Sequence, residues 1–277
     1  MGSADAISEM PYALGHSELE LRRLSTQVRL IDPITRRFFM EAGIAPGMRV
    51  LDVGSGAGDV AILLADLVGP TGKVVGMDTS ATALDIARRR VAALGLNNVT
   101  FDMGDPTEIC LAQAVDAIAG RYVLQFMPDP AAALAKLKTH LLPGGIIVFH
   151  ELDWAGARLV PPAPLYDRCC ALCAETIRRL GAETGMGPKL HIAFVNAGIR
   201  PPSMRLESVV GSGPADADKL DLVADLVRTL LPDMERLGIV VKDEIDTKTL
   251  SPRMLDEVVS LGSVVIGRAE IGAWSRI

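Results

Sequence analysis

The chain has 277 residues, 49% of them hydrophobic and 22% charged, which is the composition of a folded protein without long disordered segments. Its formal net charge of -6 disfavours nucleic-acid binding, which relies on lysine and arginine displacing counterions from phosphates. No apolar run reaches the roughly 18 residues needed to cross a bilayer, and no secretory signal is evident. We therefore expect a cytoplasmic protein that binds neither nucleic acid nor membrane.

The N-terminal segment, residues 1–45, predicts a helical cap made of two consecutive helices. A capping-box pattern begins at Ser17, and apolar residues recur on one helical stripe over residues 21–31. Pro33 then stands where the first position of a new helix is expected, and Gly43 would end that helix.

From residue 46 onward, short apolar runs alternate with helical patterns, which indicates an α/β fold with a parallel sheet and right-handed crossovers. We predict strands at 49–53, 73–77, 99–101, 115–119 and 145–150, and helices at 59–68, at 80–94 and from Asp129 onward. These elements form a core domain over residues 46–153.

The alternation breaks after Trp154, where helices predominate. We predict helices from the cysteines to about Gly181, from Gly187 to Gly198, at 216–231 and at 252–261, with strands at 205–210 and 264–274, the latter interrupted by Gly267 and Gly272. This pattern divides the rest of the chain into a substrate cap at 154–262, with one core strand near 203–210, and a final core strand at 263–277. Cys110, Cys169, Cys170 and Cys173 have no spacing that predicts a disulfide framework or a metal site.

The strongest chemical signal is a glycine-rich turn behind the first core strand. Gly54, Gly56 and Gly58 are spaced two apart, and a helix begins directly after them. Glycines let the backbone turn tightly against a ligand, while the first N–H groups of the helix stay available to it. The turn therefore predicts a nucleotide-like ligand. A dinucleotide fingerprint would need glycine in place of Asp59, and the lysine and hydroxyl residue of a P-loop are absent.

Two carboxylates follow the next strands. Asp78 ends the second strand, 20 residues beyond Gly58, and Asp105 ends the third strand region. Because parallel strands end at one edge of the sheet, a single nucleoside could contact the turn and both acids, with Asp78 accepting hydrogen bonds from the ribose hydroxyls. The arginine cluster Arg88–Arg90 lies in a helical pattern and is expected to be solvated.

Together with Asp52 and the segment Leu142–Gly145 before a strand, these motifs occur in an order that resembles the class I S-adenosylmethionine-dependent methyltransferases. The resemblance covers residues 46–152 and is strongest to the small-molecule branch near the ubiquinone/menaquinone C-methyltransferases. It implies a doubly wound, Rossmann-like sheet of seven strands, mostly parallel with an antiparallel last strand, and S-adenosylmethionine as the cofactor.

The resemblance also implies the residues that bind the cofactor. The glycine turn would face its methionine part, Asp78 the ribose and Asp105 the adenine amino group, while the N-terminal cap would close over it. The full expected set is Asp52, Gly54, Ser55, Gly56, Gly58, Asp78, Thr79, Gly104, Asp105, Pro106, Arg121, Tyr12 and Gln27.

The sequence thus predicts in-line methyl transfer to a small hydrophobic acceptor, a reaction in which positioning supplies much of the acceleration. His150 and Glu151 follow the fifth strand, and Arg121 follows the fourth, so all three are expected catalytic residues. The alternative is that His150 only packs at a strand end and Glu151 contacts a cap helix.

Two other functions stay open at this point. An NAD-dependent oxidoreductase is disfavoured by Asp59 and by the additional Asp105 element. In a noncatalytic cofactor sensor we would expect the glycines of the turn or the ribose-binding Asp78 to be replaced, and all of them are present. The cap helices could mediate a homodimer, and no metal site is expected.

Overall fold

The computed structural model describes residues 18–105, 108 and 111–277. The strands are β1 (Arg49–Val53), β2 (Lys73–Asp78), β3 (Val99–Met103), β4 (Val115–Arg121), β5 (Leu141–Asp153), β6 (Arg158–Val160), β7 (Ser203–Ser212) and β8 (Val264–Arg276). The α-helices are α1 (Glu18–Ala42), α2 (Asp59–Val68), α3 (Ala81–Ala93), α4 (Pro130–Leu137), α5 (Pro164–Arg179), α6 (Met186–Asn196), α7 (Ala217–Arg236) and α8 (Leu250–Leu261).

All eight strands belong to one sheet. β3, β2, β1, β4 and β5 are parallel neighbours in that order, and β8 runs antiparallel beside β5. Residues 264–266 of β8 pair with β7 on one side and with β6 on the other. β5 and β6 therefore lie one after the other on the same side of β8 and count as one strand position. The sheet therefore has seven strand positions, and the expected mostly parallel architecture with an antiparallel last strand is confirmed.

Alternate residues of the central strands face opposite layers of helices. Val50 of β1 packs in a core with α1, α2 and α3, whereas the next residue, Leu51, packs in a core with α4 and α6. Burial on both faces explains why the parallel strands read as continuous apolar runs. A third core joins α5, α7 and α8 to β6 and the start of β8. None of the described helices has the length and apolar character needed to cross a membrane.

Helices with clear end signals lie where the sequence predicts them. α2 spans the predicted residues, with Gly58 before it and Gly69 after it. Asp129 caps α4 by accepting a hydrogen bond from the backbone of Ala132, and Ser80 caps α3 in the same way. Side-chain caps and glycine ends are local signals, so these boundaries need no tertiary information.

The predicted break at Pro33 is wrong, because α1 continues through this proline. Ile31, Ile34, Phe38 and Phe39 are all buried and lie on both sides of it. A proline inside a helix costs about 3 kcal/mol, whereas burying each large apolar side chain contributes about 1.5–3 kcal/mol. Packing of the apolar stripe against the sheet therefore outweighs the local cost.

The other corrections concern strands. β5 begins four residues before its predicted start, and the short β6 was not predicted. β8 is continuous through Gly272, but its register with β7 shifts between residues 266 and 269, which places Gly267 in a bulge. A side chain at Gly272 would lie 2.5 Å from the ring of Phe38, so this glycine allows α1 to approach the sheet closely.

Candidate active site

The glycine turn forms a cradle at the carboxyl edge of the sheet. Gly54, Gly56 and Gly58 all have positive φ angles, of 66°, 50° and 87°. A Cβ atom on Gly54 would lie 2.4 Å from Val123, and one on Gly58 would lie 3.0 Å from Ala87, whereas one on Gly56 would meet nothing within 4 Å. The outer two glycines are thus required by packing, and the middle one leaves space for a ligand.

Asp78 ties this turn to the ends of the neighbouring strands. Its Oδ2 accepts a hydrogen bond from Gly56 N–H and its Oδ1 accepts one from Ser80 N–H, both at 2.8 Å. Its backbone carbonyl accepts from Gly104 N–H at 3.1 Å. Ionised carboxylate oxygens can accept further hydrogen bonds, so Asp78 can also receive hydroxyl donors. The structure therefore brings the turn, β2 and β3 together as expected.

Asp52 carries a buried carboxyl group that has no hydrogen-bond partner within residues 18–105, 108 and 111–277. Neither of its oxygens has a well-formed hydrogen bond, and the nearby hydroxyl of Ser55 is also buried and unpartnered. Burial raises the pKa of Asp52 well above its usual range; Arg121 opposes this shift and Asp78 adds to it. A buried acid without a partner beside an open turn fits a cofactor that carries a positive amino group, as S-adenosylmethionine does.

Arg90 contacts the glycine turn from its outer side, and its side chain is still about one third exposed to solvent. Its Nη1 donates to the carbonyl of Ala57 at 2.6 Å, and its Nη2 forms an ion pair with Asp59 at 2.6 Å. Arg88 also donates to the backbone of β3, through the carbonyl of Phe101. The arginine cluster thus supports the edge of the sheet where the turn lies.

Arg121, the last residue of β4, connects this edge to α1. Its Nη1 donates to Asp32 Oδ1 at 2.6 Å and to Thr35 Oγ1 at 3.0 Å, and its side chain is almost fully buried. Burial is the largest single effect and would lower the pKa of Arg121, but the charge of Asp32, the interaction with Tyr122 and the hydrogen bond to Asp32 together raise it. The guanidinium therefore stays charged as half of a buried ion pair.

His150 lies within β5 rather than after it and is fully buried. Its Nδ1 is 3.1 Å from Thr35 Oγ1, and its Nε2 is 2.9 Å from Glu270 Oε2. Burial lowers the pKa of His150. Burial would raise the pKa of Glu270, but the charge of Arg268 and the hydrogen bonds from His150 and Tyr122 outweigh it and lower this pKa to about 2. A neutral imidazole that donates from Nε2 and accepts at Nδ1 satisfies both contacts.

Tyr122 and Arg268 complete a hydrogen-bonded network around Glu270. Tyr122, which has a positive φ of 58°, donates its hydroxyl to Glu270 Oε2 at 2.5 Å. Arg268 donates from Nε to Glu270 Oε1 at 2.9 Å and from Nη2 to the Tyr122 hydroxyl at 3.2 Å. Together with Thr35 and Arg121, these residues form a continuous buried path from Asp32 to Arg268.

Glu151 supports the segment that follows β4. Its Oε1 accepts hydrogen bonds from the backbone N–H groups of Val123 and Leu124, at 2.9 and 2.7 Å. The side chain is fully buried, and burial raises the pKa of Glu151 to about 8. Since Val123 packs against Gly54, Glu151 positions the strand end that borders the glycine turn.

A largely apolar cavity that is partly open to solvent lies beside this network, between α1, α5, α7 and β8. Its apolar lining includes Leu30, Val223, Leu226 and Val265, and its polar residues include Trp154, Lys219, Arg268 and Glu270. Glu270 thus belongs both to the cavity wall and to the network that begins at the cofactor edge.

The remaining expected site residues are placed as follows. Gln27 is buried in α1. Thr79 and Asp105 are exposed and follow β2 and β3 in the chain. Tyr12 and Pro106 lie outside the described residues. No group of His, Cys, Asp and Glu within the described part of the chain could hold a metal ion.

Sequence reasoning missed five members of the network: Asp32, Thr35, Tyr122, Arg268 and Glu270. The available signal was the pair of charged residues inside the otherwise apolar last strand, because charges in a buried strand need partners. Their partners on α1, β4 and β5 could not be identified without the fold.

The chain resembles known proteins mainly in its first two thirds. A family profile described as a methyltransferase domain matches residues 44–182, which is half of the chain. A demethylmenaquinone methyltransferase of Staphylococcus aureus is 31% identical over 138 residues, covering 50% of this chain and 54% of that protein. An uncharacterized 37.1 kDa protein in a transposon of Streptomyces fradiae is 39% identical over 110 residues, covering 39% of this chain and 31% of that protein. The chain therefore spans about half or less of the length of these curated relatives.

A solved structure supports the fold over a longer range. The crystal structure of a SAM-dependent methyltransferase from Aquifex aeolicus superposes with a TM-score of 0.54 and 24% identity, covering 70% of this chain and 94% of that one. At this level of identity the likeness establishes the architecture alone.

Proposed function

Because the chain belongs to the class I S-adenosylmethionine-dependent methyltransferases, we propose that it transfers a methyl group from this cofactor to a small, hydrophobic molecule. The family membership confirms the enzyme class and the cofactor expected from the sequence. The acceptor, its attacking atom and the reaction of the whole protein belong to the proposal.

The cofactor half of the proposal draws on the cradle at the sheet edge. When bound, S-adenosylmethionine supplies an activated methyl group on a sulfonium. The open face of Gly56 and the first N–H groups of α2 would approach the methionine part, and the unpartnered carboxyl of Asp52 would face its amino group. Asp78 would accept hydrogen bonds from the ribose hydroxyls while still holding the turn.

The observation that carries the acceptor half is the apolar cavity whose polar end shares Glu270 with the buried network. That network reaches Arg121 at the end of β4, on the same edge as the glycine turn. Methyl transfer needs a nucleophile aligned with the methyl group and shielded from water, and such positioning can supply up to about 7–11 kcal/mol. A cavity with a largely apolar lining favours a small hydrophobic acceptor over a polymer.

We propose that His150, Glu151 and Arg121 act mainly by positioning. His150 and Glu151 are fully buried, and both nitrogens of His150 and the Oε1 atom of Glu151 are hydrogen-bonded inside the protein. Glu270, with a pKa of about 2, is a weak base, so its contact with His150 favours orientation over proton removal. An acceptor that already carries its nucleophilic electron pair would need no stronger base.

Isothermal titration with S-adenosylmethionine tests the cofactor site. We expect micromolar affinity for the unaltered protein and at least tenfold weaker binding for Asp78→Asn, which removes the charge and keeps the size. Asp85→Asn, an exposed substitution on α3, serves as the matched control and should change the affinity less than twofold. No binding by the unaltered protein would overturn the proposal.

Formation of S-adenosylhomocysteine separates an enzyme from a noncatalytic sensor. We expect product only when a hydrophobic acceptor is added from a panel of phenols, quinols and enols. Tight cofactor binding with no turnover on any member of a broad panel would favour the sensor instead. A homodimer through the cap helices stays a prediction, which sedimentation velocity can test.

A further inference from the structure

The charged groups of the cavity are paired with one another or with close neighbours. Arg268 donates to Glu270 at 2.9 Å, and Lys219 contacts Asp216 at 2.5 Å and Asp218 at 3.3 Å. A charged ligand would have to give up its hydration without gaining a free counter-charge from these residues, which is costly in an apolar space. The cavity therefore favours an uncharged molecule.

One residue of the cavity wall carries a hydrogen-bond donor that has no partner among the residues that the structure describes. Trp154 lines the cavity and is only 8% exposed, and its indole Nε1 is buried without a hydrogen bond. The neighbouring hydroxyl of Tyr166 and thiol of Cys170 already pair with each other. Arg268 packs over the face of the Trp154 ring, at 5.5 Å from its centre, and so holds the indole in place.

Most buried tryptophan N–H groups find an acceptor, because an unsatisfied buried donor costs about 1–3 kcal/mol. A ligand oxygen would remove this cost when the cavity is filled. The remaining lining is aliphatic or aromatic and offers shape rather than polar recognition.

We propose that the methyl acceptor is an uncharged apolar molecule with a carbonyl or hydroxyl oxygen, and that the indole N–H of Trp154 holds this oxygen. The inference rests on the proposed function and names its substrate class. Trp154 acts here as a specificity residue, because it selects molecules that carry an oxygen at one end.

Three small probes of similar size test the proposal: 1-tetralone, which carries a carbonyl; tetralin, its hydrocarbon counterpart; and 1-naphthoate, which is charged. Their binding is followed by ligand-observed NMR titration of the full chain saturated with S-adenosylhomocysteine. A net hydrogen bond together with relief of the unsatisfied donor predicts that 1-tetralone binds about tenfold more tightly than tetralin. We expect 1-naphthoate to bind most weakly.

The variant Trp154→Phe keeps an aromatic ring below Arg268 and removes the N–H group. We expect it to bind the ketone and the hydrocarbon within threefold of each other. Trp274→Phe changes the chain's only other tryptophan, in the part of β8 beside β5, and should keep the tenfold preference. Val223→Phe fills the cavity and should weaken the binding of both probes. If Trp154→Phe does not fold, this variant still shows whether the probes bind in the cavity.

Equal binding of the ketone and the hydrocarbon to the unaltered protein would overturn the inference. So would an unchanged preference in Trp154→Phe, tighter binding of 1-naphthoate, or no binding of any probe. Binding of S-adenosylmethionine is measured separately, on cofactor-free protein from the same preparations. Loss of cofactor binding would refute the proposed function, whereas intact cofactor binding without an oxygen preference would refute this inference alone.

Discussion

Glu151→Gln should make the stability of the protein less sensitive to pH between about 4.5 and 8. The carboxyl of Glu151 is fully buried, and burial raises its pKa from 4.5 to about 8. Glutamine keeps an oxygen that can accept from Val123 and Leu124, but it has no proton to lose. The substitution therefore removes a titration and preserves the backbone contacts.

The sign and size of the effect follow from proton linkage. A raised pKa means that the folded protein binds more protons than the unfolded chain, so the free energy of unfolding falls as pH rises from about 4.5 through 8. Between pH 6 and 8.5 the unfolded carboxyl is already ionised, while the folded one loses its proton only near the end of the range. Glu151 should then cost the unaltered protein about 2 to 3 kcal/mol of stability over this interval.

Urea unfolding at pH 6, 7, 8 and 8.5 measures this difference. The unaltered protein should lose stability with rising pH, and Glu151→Gln should lose about 2 to 3 kcal/mol less. Glu41→Gln, on the exposed side of α1, is the matched control and should follow the unaltered protein. Parallel pH profiles for the unaltered protein and Glu151→Gln would refute the assignment of a raised pKa to Glu151.

Three further substitutions test the turn and the network. Gly54→Ala adds a Cβ atom at 2.4 Å from Val123, in a residue with a φ of 66°. We expect the free energy of unfolding in urea to fall by about 1–3 kcal/mol and cofactor binding in calorimetry to weaken. Unchanged values would show that the turn has room for a side chain. Glu270→Gln leaves the buried Arg268 without its counter-charge and should lower the free energy of unfolding by about 3–5 kcal/mol near pH 7. Because the pKa of Glu270 is lowered, the unaltered protein should lose this stability as pH falls from 4.5 towards 2. The same loss of stability at low pH in the variant would contradict this. Thr35→Val removes the hydroxyl that contacts His150 and should cost about 1–3 kcal/mol in thermal unfolding, which Thr35→Ser should largely restore.

The core elements were predictable because their signals are local. Glycines, prolines and side-chain caps delimit α2, α3 and α4, and continuous apolar runs mark the buried parallel strands. The prediction failed at Pro33, where the same local rule indicated a helix break. Burial of Phe38 and Phe39 against the sheet decides the outcome there, and the sequence around the proline does not contain that information.

The two halves of the candidate site differ in the same way. The cofactor cradle comes from consecutive residues at strand ends, so strand order alone places Gly56 and Asp78 together. The network depends on the antiparallel register of β5 and β8, in which His150 is opposite Gly272 and Glu270 is its diagonal neighbour on the same face. One step of register would move Glu270 to the other side of the sheet, and nothing in either strand taken alone specifies that register.

Two of the unsatisfied buried polar groups lie at the proposed binding positions, whereas a third, Glu151 Oε2, belongs to the scaffold. Glu270, His150 and Arg121 are buried polar residues, and each has its hydrogen bonds inside the protein. Asp52 at the cradle and Trp154 at the cavity are also buried, yet the carboxyl oxygens and the indole N–H have no hydrogen-bond partner among the described residues. A folded protein bears such a cost where a ligand offsets it, because a purely structural position could hold an apolar side chain at lower free energy. In the proposed complex, a cationic cofactor group would satisfy the carboxyl and an acceptor oxygen would satisfy the indole, while the hydrogen-bonded network between them would keep the two positions at a fixed separation.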